Sequence, residues 1–247
     1  MKAKDRKEDK PFECKDSFES DVSISFWRGK RIDGIVFDVD GTLTDSIDAY
    51  FEVFEEATAR VGIHVRKEDV LEPMATGSLI WERAIPGEIP DREKKIKQIM
   101  EAIPGIYFEV FQRVKPFSGL EPIFRELKKA GIRLGAHTSS WAVALRPLQN
   151  AGLGQYFVTT MSHEDGFPPK PAPEGIMECL RRMEVTPDHA IVVGDSPLDI
   201  RAGKAAGALT IGVLTGIGNR SQLEAESPAI IIKEVTEILS LLNIKEF

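Results

Sequence analysis

Two carboxylates lie two residues apart directly after an apolar run of the chain. In the stretch GIVFDVDGTLTDS, residues 34–46, Asp38 and Asp40 follow Ile35, Val36 and Phe37. An apolar run of this kind is typical of a buried strand. Like charges held this close repel and raise one another's pKa. The pattern therefore predicts that a positive charge lies between the two acids.

Further polar residues follow the other predicted strands. They are Thr42 after the first strand, Thr138 and Ser139 after IRLGAH, Asp195, Ser196 and Asp199 after AIVVG, and Lys170 in the turn-rich EDGFPPKPAPE. In an open parallel sheet, ligands bind outside the carboxyl ends of the strands. We therefore expect these side chains to converge on one crevice.

The chemistry of this set favours a magnesium site. Carboxylate oxygens from two strand ends suit Mg²⁺ better than a softer metal. The histidines have no spacing that suggests a joint metal site, and His137 is expected to be a core histidine with its hydrogen bonds satisfied. A bound Mg²⁺ would offset the repulsion among Asp38, Asp40 and Asp195.

The elements that position these residues alternate between strands and helices. Helices are predicted in LEPIFRELKKAG, WAVALRPLQNAG, PAPEGIMECLRRM and PLDIRAGKAAG, strands in IRLGAHTSS, HAIVVGDS and ALTIGVLTG, and a last short strand and helix in AIIIKEVTEILSLL. This alternation implies βαβ units, and hence an α/β fold with a parallel sheet and helices on both faces.

A helical segment interrupts this pattern after the first strand. Apolar residues from Ile47 to Val61 recur at three- and four-residue steps, with Ser46 available as the N-cap and Gly62 as a stop. Residues 67–114 carry no strand-like run. We expect a charged, flexible extension at 1–22, an α/β core at 23–46 and 116–247, and a helical cap at 47–115.

Composition narrows the classes of partner. The chain has 247 residues, 42% of them hydrophobic, and a net charge of −7. No net positive field is present to attract nucleic acid or an anionic membrane. Cys14 and Cys179 form no CxxC motif, which fits a reducing compartment. With neither a signal peptide nor an apolar run of membrane-spanning length, we expect a soluble cytoplasmic protein, monomeric or homodimeric.

Four ordered motifs carry a resemblance to a known family. DVDGTLTDS, Thr138 in HTSS, Lys170 in KPAPE and GDSPLDI resemble the motifs of the haloacid dehalogenase-like hydrolase superfamily. The resemblance covers about residues 32–240. The helical insertion is similar to the cap of the branch that holds phosphoglycolate phosphatase and β-phosphoglucomutase. The family resemblance implies a Rossmann-like three-layer core and Mg²⁺-dependent phosphoryl chemistry.

The resemblance also implies roles for the acids. Asp38 would be the nucleophile that forms an aspartyl-phosphate. Asp40 would protonate the leaving oxygen and then deprotonate the attacking water. The metal ligands would be Asp38, Asp195 and the backbone carbonyl of Asp40, while Asp199 would hold a metal-bound water or orient Lys170.

The same resemblance implies a phosphate-binding set. Lys170 and the Thr138 hydroxyl would stabilise the phosphoryl oxygens, together with Thr42 and backbone N–H groups near Gly41 and Ser139.

In the cap, MATGSLIWERA (74–84) is similar to the loop that reaches over the active site in this branch. Thr76, Gly77, Ser78 and Arg83 are therefore candidates to contact the substrate. The alternative is a plain helix start, with Ser78 as the N-cap and Leu79, Trp81 and Ile85 packing.

The function implied is a Mg²⁺-dependent phosphatase of a small phosphorylated metabolite, with phosphoglycolate as the first candidate. A β-phosphoglucomutase-like phosphotransferase and a pyrophosphatase are the alternatives from the same chemistry. A non-catalytic binding module on the same fold is the alternative from another class. Loss of a motif residue would indicate that class, and all four motifs are intact.

Overall fold

The computed structural model describes residues 24–78 and 80–245. A parallel six-stranded sheet with the order β5-β4-β3-β6-β7-β8 forms the core, and β1, β2 and β9 form a separate antiparallel sheet. The strands are β1 (Ile24–Trp27), β2 (Lys30–Ile32), β3 (Gly34–Phe37), β4 (Arg133–His137), β5 (Phe157–Met161), β6 (Ala190–Gly194), β7 (Leu209–Val213), β8 (Ile230–Ile232) and β9 (Asn243–Lys245).

Helices connect the strands and cover both faces of the six-stranded sheet. They are α1 (Ile47–Ala59), α2 (Lys67–Thr76), α3 (Ile80–Ala84), α4 (Arg92–Phe111), α5 (Leu120–Lys129), α6 (Arg146–Asn150), α7 (Glu174–Met183), α8 (Pro197–Ala205), α9 (Arg220–Ala225) and α10 (Ile238–Leu241). The predicted Rossmann-like α/β fold is confirmed.

Strand β3 lies at the centre of the parallel sheet. Phe37 pairs with Ala136 of β4 on one side and with Val193 of β6 on the other. The first residue after β3 continues this register, because the Asp38 N–H donates to the Val193 carbonyl at 2.8 Å. The residues that follow β3, β4 and β6 therefore meet at one edge of the sheet.

The core has an apolar cluster on each face of the sheet. On one face the Phe37 ring packs on Phe124 of α5, with the ring centroids 5.6 Å apart. On the other face Val36 packs with Cys179 and Leu180 of α7. Since β3 is buried on both faces, its backbone is held rigidly at the point where the acids begin.

Helices α1 to α4 carry a third apolar cluster, centred on α1 packed against α4. Its aromatic centre is formed by Tyr50, Tyr107 and Phe111, whose rings lie 3.9–5.8 Å apart. Within 67–114, leaving out residue 79, every regular element is helical, as the sequence predicts. The division at 47–115 into a cap domain stays a prediction, and the extension at 1–22 lies outside the described residues.

Two features of the fold were not predicted. Strand β5, with the sequence FVTTM, adds an edge to the parallel sheet beside β4. The antiparallel sheet joins β1 to β9, which come from opposite ends of the described chain. Its Trp27 is buried against the main core.

Candidate active site

Three buried carboxylates meet at the carboxyl edge of the parallel sheet. Asp38 follows β3, Asp195 follows β6 and Asp199 lies in the first turn of α8. One carboxylate oxygen from each lies within 4.8 Å of the others, and all three side chains are buried. This is the convergence that the strand-end pattern predicts.

Lys170 supplies the positive charge between two of these acids. Its ammonium group contacts the carboxylate of Asp38 and lies 2.5 Å from Asp199 Oδ1. The backbone N–H of Lys170 donates to Ser139 Oγ at 3.1 Å, which holds the lysine's loop against the end of β4. Burial lowers the pKa of Lys170, but Asp199 and Asp38 outweigh it and raise that pKa above its ordinary value.

Asp195 is fixed from two directions. Its Oδ2 accepts the backbone N–H of Ile217 at 2.7 Å, and its Oδ1 accepts the Thr42 hydroxyl at 3.1 Å. Burial, with the neighbouring Asp199, raises the pKa of Asp195 to about 7. Gly216 is required here, since a Cβ at that position would lie 1.9 Å from Asp195 Oδ2.

Asp199 is held by a reciprocal cap at the start of α8. Its Oδ2 accepts the N–H of Ser196 at 3.0 Å and the Ser196 hydroxyl at 2.6 Å, while Ser196 Oγ accepts the Asp199 N–H at 3.3 Å. The other oxygen, Oδ1, faces Lys170. Asp199 thus lies in the first turn of α8 and also contacts the lysine of the site.

Asp40 lies beside the three-acid cluster and is held by hydroxyl groups. Its Oδ2 accepts the Thr138 hydroxyl at 2.8 Å and its Oδ1 accepts the Ser46 hydroxyl at 3.0 Å. Burial raises the pKa of Asp40, and the hydrogen bonds from Thr138 and Ser46 oppose that rise. A raised pKa suits a group that must give and take a proton.

The prediction that the Ser46 side chain caps α1 is wrong. Ser46 occupies the N-cap position but its side chain makes no cap hydrogen bond. The hydroxyl turns instead to Asp40, because a charge-assisted hydrogen bond to the carboxylate is stronger than a bond from a neutral backbone N–H.

A hydroxyl network extends from Asp40 into the helical segment. Thr138 Oγ1 accepts the N–H of Ser140 at 2.9 Å, Ser140 Oγ contacts the Tyr50 hydroxyl, and the Tyr50 hydroxyl lies 3.2 Å from that of Tyr107. Sequence reasoning placed Tyr50 only in an apolar helix face. A hydroxyl-bearing aromatic on the buried face of the first helix after Asp40 is the signal that could have identified it.

The acids fit the hard divalent cation that the sequence predicts. Asp38, Asp195 and Asp199 offer three carboxylate oxygens within reach of one ion. Burial raises the pKa of Asp38 well above its ordinary value, and the repulsion of Asp199, Asp195 and Asp40 adds to this although Lys170 opposes it. A divalent cation would stabilise their charged forms. The Asp40 carboxylate is outside this group, which leaves only its backbone carbonyl for the metal role.

The acids open on a cavity of about 270 Å³. Its polar floor includes Asp38, Asp40, Thr138, Ser139, Lys170, Asp195, Ser196 and Asp199, and its other lining residues include Ile47, Tyr50, Met74, Pro169, Leu198 and Ile217. Gly41 and Thr42 support the floor: Gly41 has φ +77° and lies close to Asp195, and Thr42 binds Asp195. The volume lies just below the range of drug-sized ligand pockets, so a small substrate fits.

The structure does not bring the predicted substrate-contacting residues of the helical segment into the lining of the cavity. Gly77 lies against Leu198, since a Cβ there would be 3.2 Å from Leu198 Cδ2. Thr76 and Ser78 share a hydrogen bond of 2.9 Å and do not line the cavity. Arg83 does not line it either, because its guanidinium pairs with Glu72 at 2.6 Å and lies 3.8 Å from Asp69.

The expectation of a satisfied core histidine at position 137 is wrong. His137 is buried, but its Nδ1 has no hydrogen-bond partner. Its ring packs against Gly175 of α7, where any side chain would overlap it. Burial, with the charge of Lys170, lowers the pKa of His137 to about 3, so the ring stays neutral.

Comparison with known proteins agrees with this geometry. The model of the haloacid dehalogenase-like hydrolase family matches residues 35–213, which are more than half of the chain and include all the acids and the lysine of the site. The chain belongs to that family. The predicted family is thereby confirmed.

Relatives of this hydrolase carry several names. The pyrophosphatase PpaX of Bacillus velezensis is 29% identical over 222 residues, 87% of this chain and 99% of the relative. The phosphoglycolate phosphatase of Escherichia coli is 25% identical over 235 residues, 86% of this chain and 93% of the relative.

Solved structures show the same fold at lower identity. The crystal structure of a predicted phosphoglycolate phosphatase from Haemophilus somnus has a TM-score of 0.73 at 21% identity, covering 85% of this chain and 97% of that one. A β-phosphoglucomutase from Clostridium difficile has a TM-score of 0.68 at 19% identity, covering 84% and 93%. Within the described residues of this hydrolase, none of the helices has the length and hydropathy to cross a bilayer.

Proposed function

We propose that this hydrolase cleaves a small phosphomonoester with Mg²⁺, through an aspartyl-phosphate on Asp38. The observation that carries the proposal is the buried group of Asp38, Asp195 and Asp199 on the floor of one cavity, with Lys170 bonded to two of them. Few other reactions need a carboxylate nucleophile, a divalent-cation site and a buried ammonium group in one place.

In the first step a carboxylate oxygen of Asp38 attacks phosphorus and the bond to the leaving oxygen breaks. Asp40 gives its proton to that oxygen, a role that its raised pKa favours. The ammonium of Lys170 and the N–H groups near Gly41 and Ser139 stabilise the equatorial oxygens. Asp38, Asp195 and the Asp40 carbonyl would hold Mg²⁺, with Asp199 nearby, and the ion would supply positive charge that offsets the charge of the phosphoryl group.

In the second step water attacks the phosphorus of the aspartyl-phosphate. Asp40 takes the proton of that water, the bond from phosphorus to Asp38 breaks, and the Asp38 carboxylate and inorganic phosphate are released. Thr138 and Ser46 hold the Asp40 carboxyl group in one orientation through both steps.

Phosphoglycolate is the first candidate substrate, because the family branch and one named relative point to it. Pyrophosphate is favoured by another relative's name, and a β-phosphoglucomutase-like transfer by one structural neighbour. The cytoplasmic location and the monomeric or homodimeric state stay predictions.

A panel of phosphorylated metabolites, assayed for phosphate release with Mg²⁺ and again with EDTA, tests the proposal. We expect turnover of at least one small ester that EDTA abolishes and that Asp38→Asn removes without changing the unfolding temperature greatly. Interconversion of hexose phosphates without phosphate release would favour the mutase. Wild-type turnover by Asp38→Asn would refute the assigned nucleophile.

A further inference from the structure

A chain of hydrogen bonds joins a tyrosine of α1 to Asp40. The Tyr50 hydroxyl contacts Ser140 Oγ, and the Ser140 N–H donates to Thr138 Oγ1 at 2.9 Å. The Thr138 hydroxyl in turn donates to Asp40 Oδ2 at 2.8 Å. We propose that Tyr50 is a positioning residue for the reaction, which acts through this chain to hold the Asp40 carboxyl group in the orientation that proton transfer needs. This role rests on the proposed phosphatase function.

The Thr138 hydroxyl is the link that must be kept in one direction. A threonine hydroxyl carries one proton, has two lone pairs and rotates to suit its partners. The Ser140 N–H occupies one lone pair of Thr138 Oγ1, so the hydroxyl proton is left for the carboxylate of Asp40. The place of the Ser140 backbone therefore decides how well Thr138 serves as the donor to Asp40.

Two contacts hold Ser140, which lies in the loop after β4. Its carbonyl accepts the N–H of His163 at 2.9 Å, and its side chain contacts the Tyr50 hydroxyl. The first contact holds the loop to the chain that follows β5, and the second ties it to α1. Loss of the second contact should therefore shift Ser140 without unfolding the loop.

The Tyr50 ring is a rigid anchor for this contact. It is buried and packs on Phe111 and Tyr107, with ring centroids 5.1 and 5.8 Å away. The Tyr50 hydroxyl also lies 3.2 Å from that of Tyr107 on α4. Because the rings fix Tyr50, Tyr50→Phe keeps the apolar packing and removes only the hydroxyl group.

Tyr50 also lines the cavity of the site, so a direct contact with the substrate is the competing explanation. The two roles differ in which substrates they affect. A contact with the phosphoryl group would matter for every ester. Orientation of Asp40 matters only where the leaving oxygen needs a proton.

Tyr50→Phe, assayed on two esters, distinguishes these roles. The esters are p-nitrophenyl phosphate and the alkyl phosphate that the wild-type enzyme hydrolyses fastest, and kcat/KM covers only the steps up to departure of the leaving group. We expect kcat/KM to fall by about three- to tenfold for the alkyl phosphate, the usual worth of one hydrogen bond. For p-nitrophenyl phosphate it should fall by less than about twofold, because that leaving group needs no proton.

The third tyrosine of the chain offers a matched control. The Tyr156 hydroxyl donates to Glu121 at 3.2 Å and lies outside the lining of the cavity. Tyr156→Phe should leave kcat/KM unchanged for both esters.

A double-mutant cycle tests the route through Ser140. Ser140→Ala removes the side chain that contacts Tyr50 and keeps the N–H that donates to Thr138. We expect the alkyl-phosphate loss in Ser140→Ala to match that in Tyr50→Phe, and the double variant to lose no more than either single one, because the chain is then already broken. Losses that multiply in the double variant would overturn this route.

The outcomes separate the positioning role from the phosphatase function. Equal losses on both esters in folded Tyr50→Phe, or no loss on either, would overturn the positioning role and leave the phosphatase function intact. Failure of the wild-type enzyme to hydrolyse any alkyl phosphate with Mg²⁺ would overturn both. A loss confined to the alkyl phosphate, with an unfolding temperature close to that of the wild type, would support the positioning role.

Discussion

Gly216 allows Asp195 to occupy the proposed metal-binding position, so Gly216→Ala is the most informative structural perturbation. An alanine Cβ would lie 1.9 Å from Asp195 Oδ2, 2.3 Å from its Cγ and 2.6 Å from its Cβ. Because the Cβ of Asp195 itself is overlapped, rotation of the carboxylate does not relieve the clash, and the residue must move away.

The displacement removes two contacts that fix the Asp195 carboxylate. These are the N–H of Ile217 at 2.7 Å and the Thr42 hydroxyl at 3.1 Å. Overpacking of this kind costs about 1–3 kcal/mol of unfolding free energy. Loss of ligand orientation weakens metal binding by about 10–100-fold. We therefore expect both a lower unfolding temperature and weaker Mg²⁺ binding.

The assay is the unfolding temperature as a function of Mg²⁺ concentration, since a ligand that binds only the folded state stabilises it by mass action. Gly105→Ala is the matched control. Gly105 is exposed in α4, and nothing lies within 4 Å of the point that an alanine methyl group would occupy. Alanine in place of glycine should raise the free energy of unfolding by about 0.5–1 kcal/mol, because it favours the helix. Wild-type Mg²⁺ affinity in Gly216→Ala would refute the assignment of Asp195 as a ligand.

Three further predictions follow from the site and the core. Lys170→Met should destabilise the Mg²⁺-free protein by about 3–5 kcal/mol at pH 8 and by less at pH 5. Without the lysine, the pKa of buried Asp38 rises further, and the stability that protonated Asp38 contributes is lost as the pH increases through this raised pKa. Equal losses of unfolding free energy in urea at both pH values would contradict this. In a Cys14→Ser background, Cys179 should resist thiol reagents at pH 8 until the protein unfolds, because burial raises the pKa of Cys179 to about 12; rapid labelling of the native protein would contradict its burial. Asp40→Asn should lower kcat/KM by about 10²–10⁴-fold for alkyl phosphates and by much less for p-nitrophenyl phosphate, whose leaving group needs no proton; equal losses on both esters would exclude Asp40 as the acid.

The positions of the acids could be predicted because they depend on backbone register. Asp38 and Asp195 each follow an apolar strand, and neighbouring parallel strands end at the same edge. The pairing of Lys170 with these acids, and the positions of Thr138 and Ser139 after β4, agree with the motif order in the sequence.

Side-chain partners could not be predicted in the same way. The choice of Ser46 to bond Asp40 rather than cap α1, and the pairing of Arg83 with Glu72 rather than the cavity, depend on competition between nearby polar partners. Strand β5 was missed because FVTTM contains two threonines in place of a continuous apolar run, so its pattern is weaker than that of the central strands β3 and β6. Strand β9 pairs with β1 across most of the chain, a contact that local patterns do not encode.

The central claim is that Asp38 takes up the phosphoryl group of the substrate. Rapid acid quench during turnover of a small phosphate ester, followed by peptide mass spectrometry, measures this directly. We expect a phosphorylated peptide that contains Asp38, dependent on Mg²⁺ and absent in Asp38→Asn. Phosphorylation of another residue during turnover, or undiminished turnover by Asp38→Asn, would contradict the account.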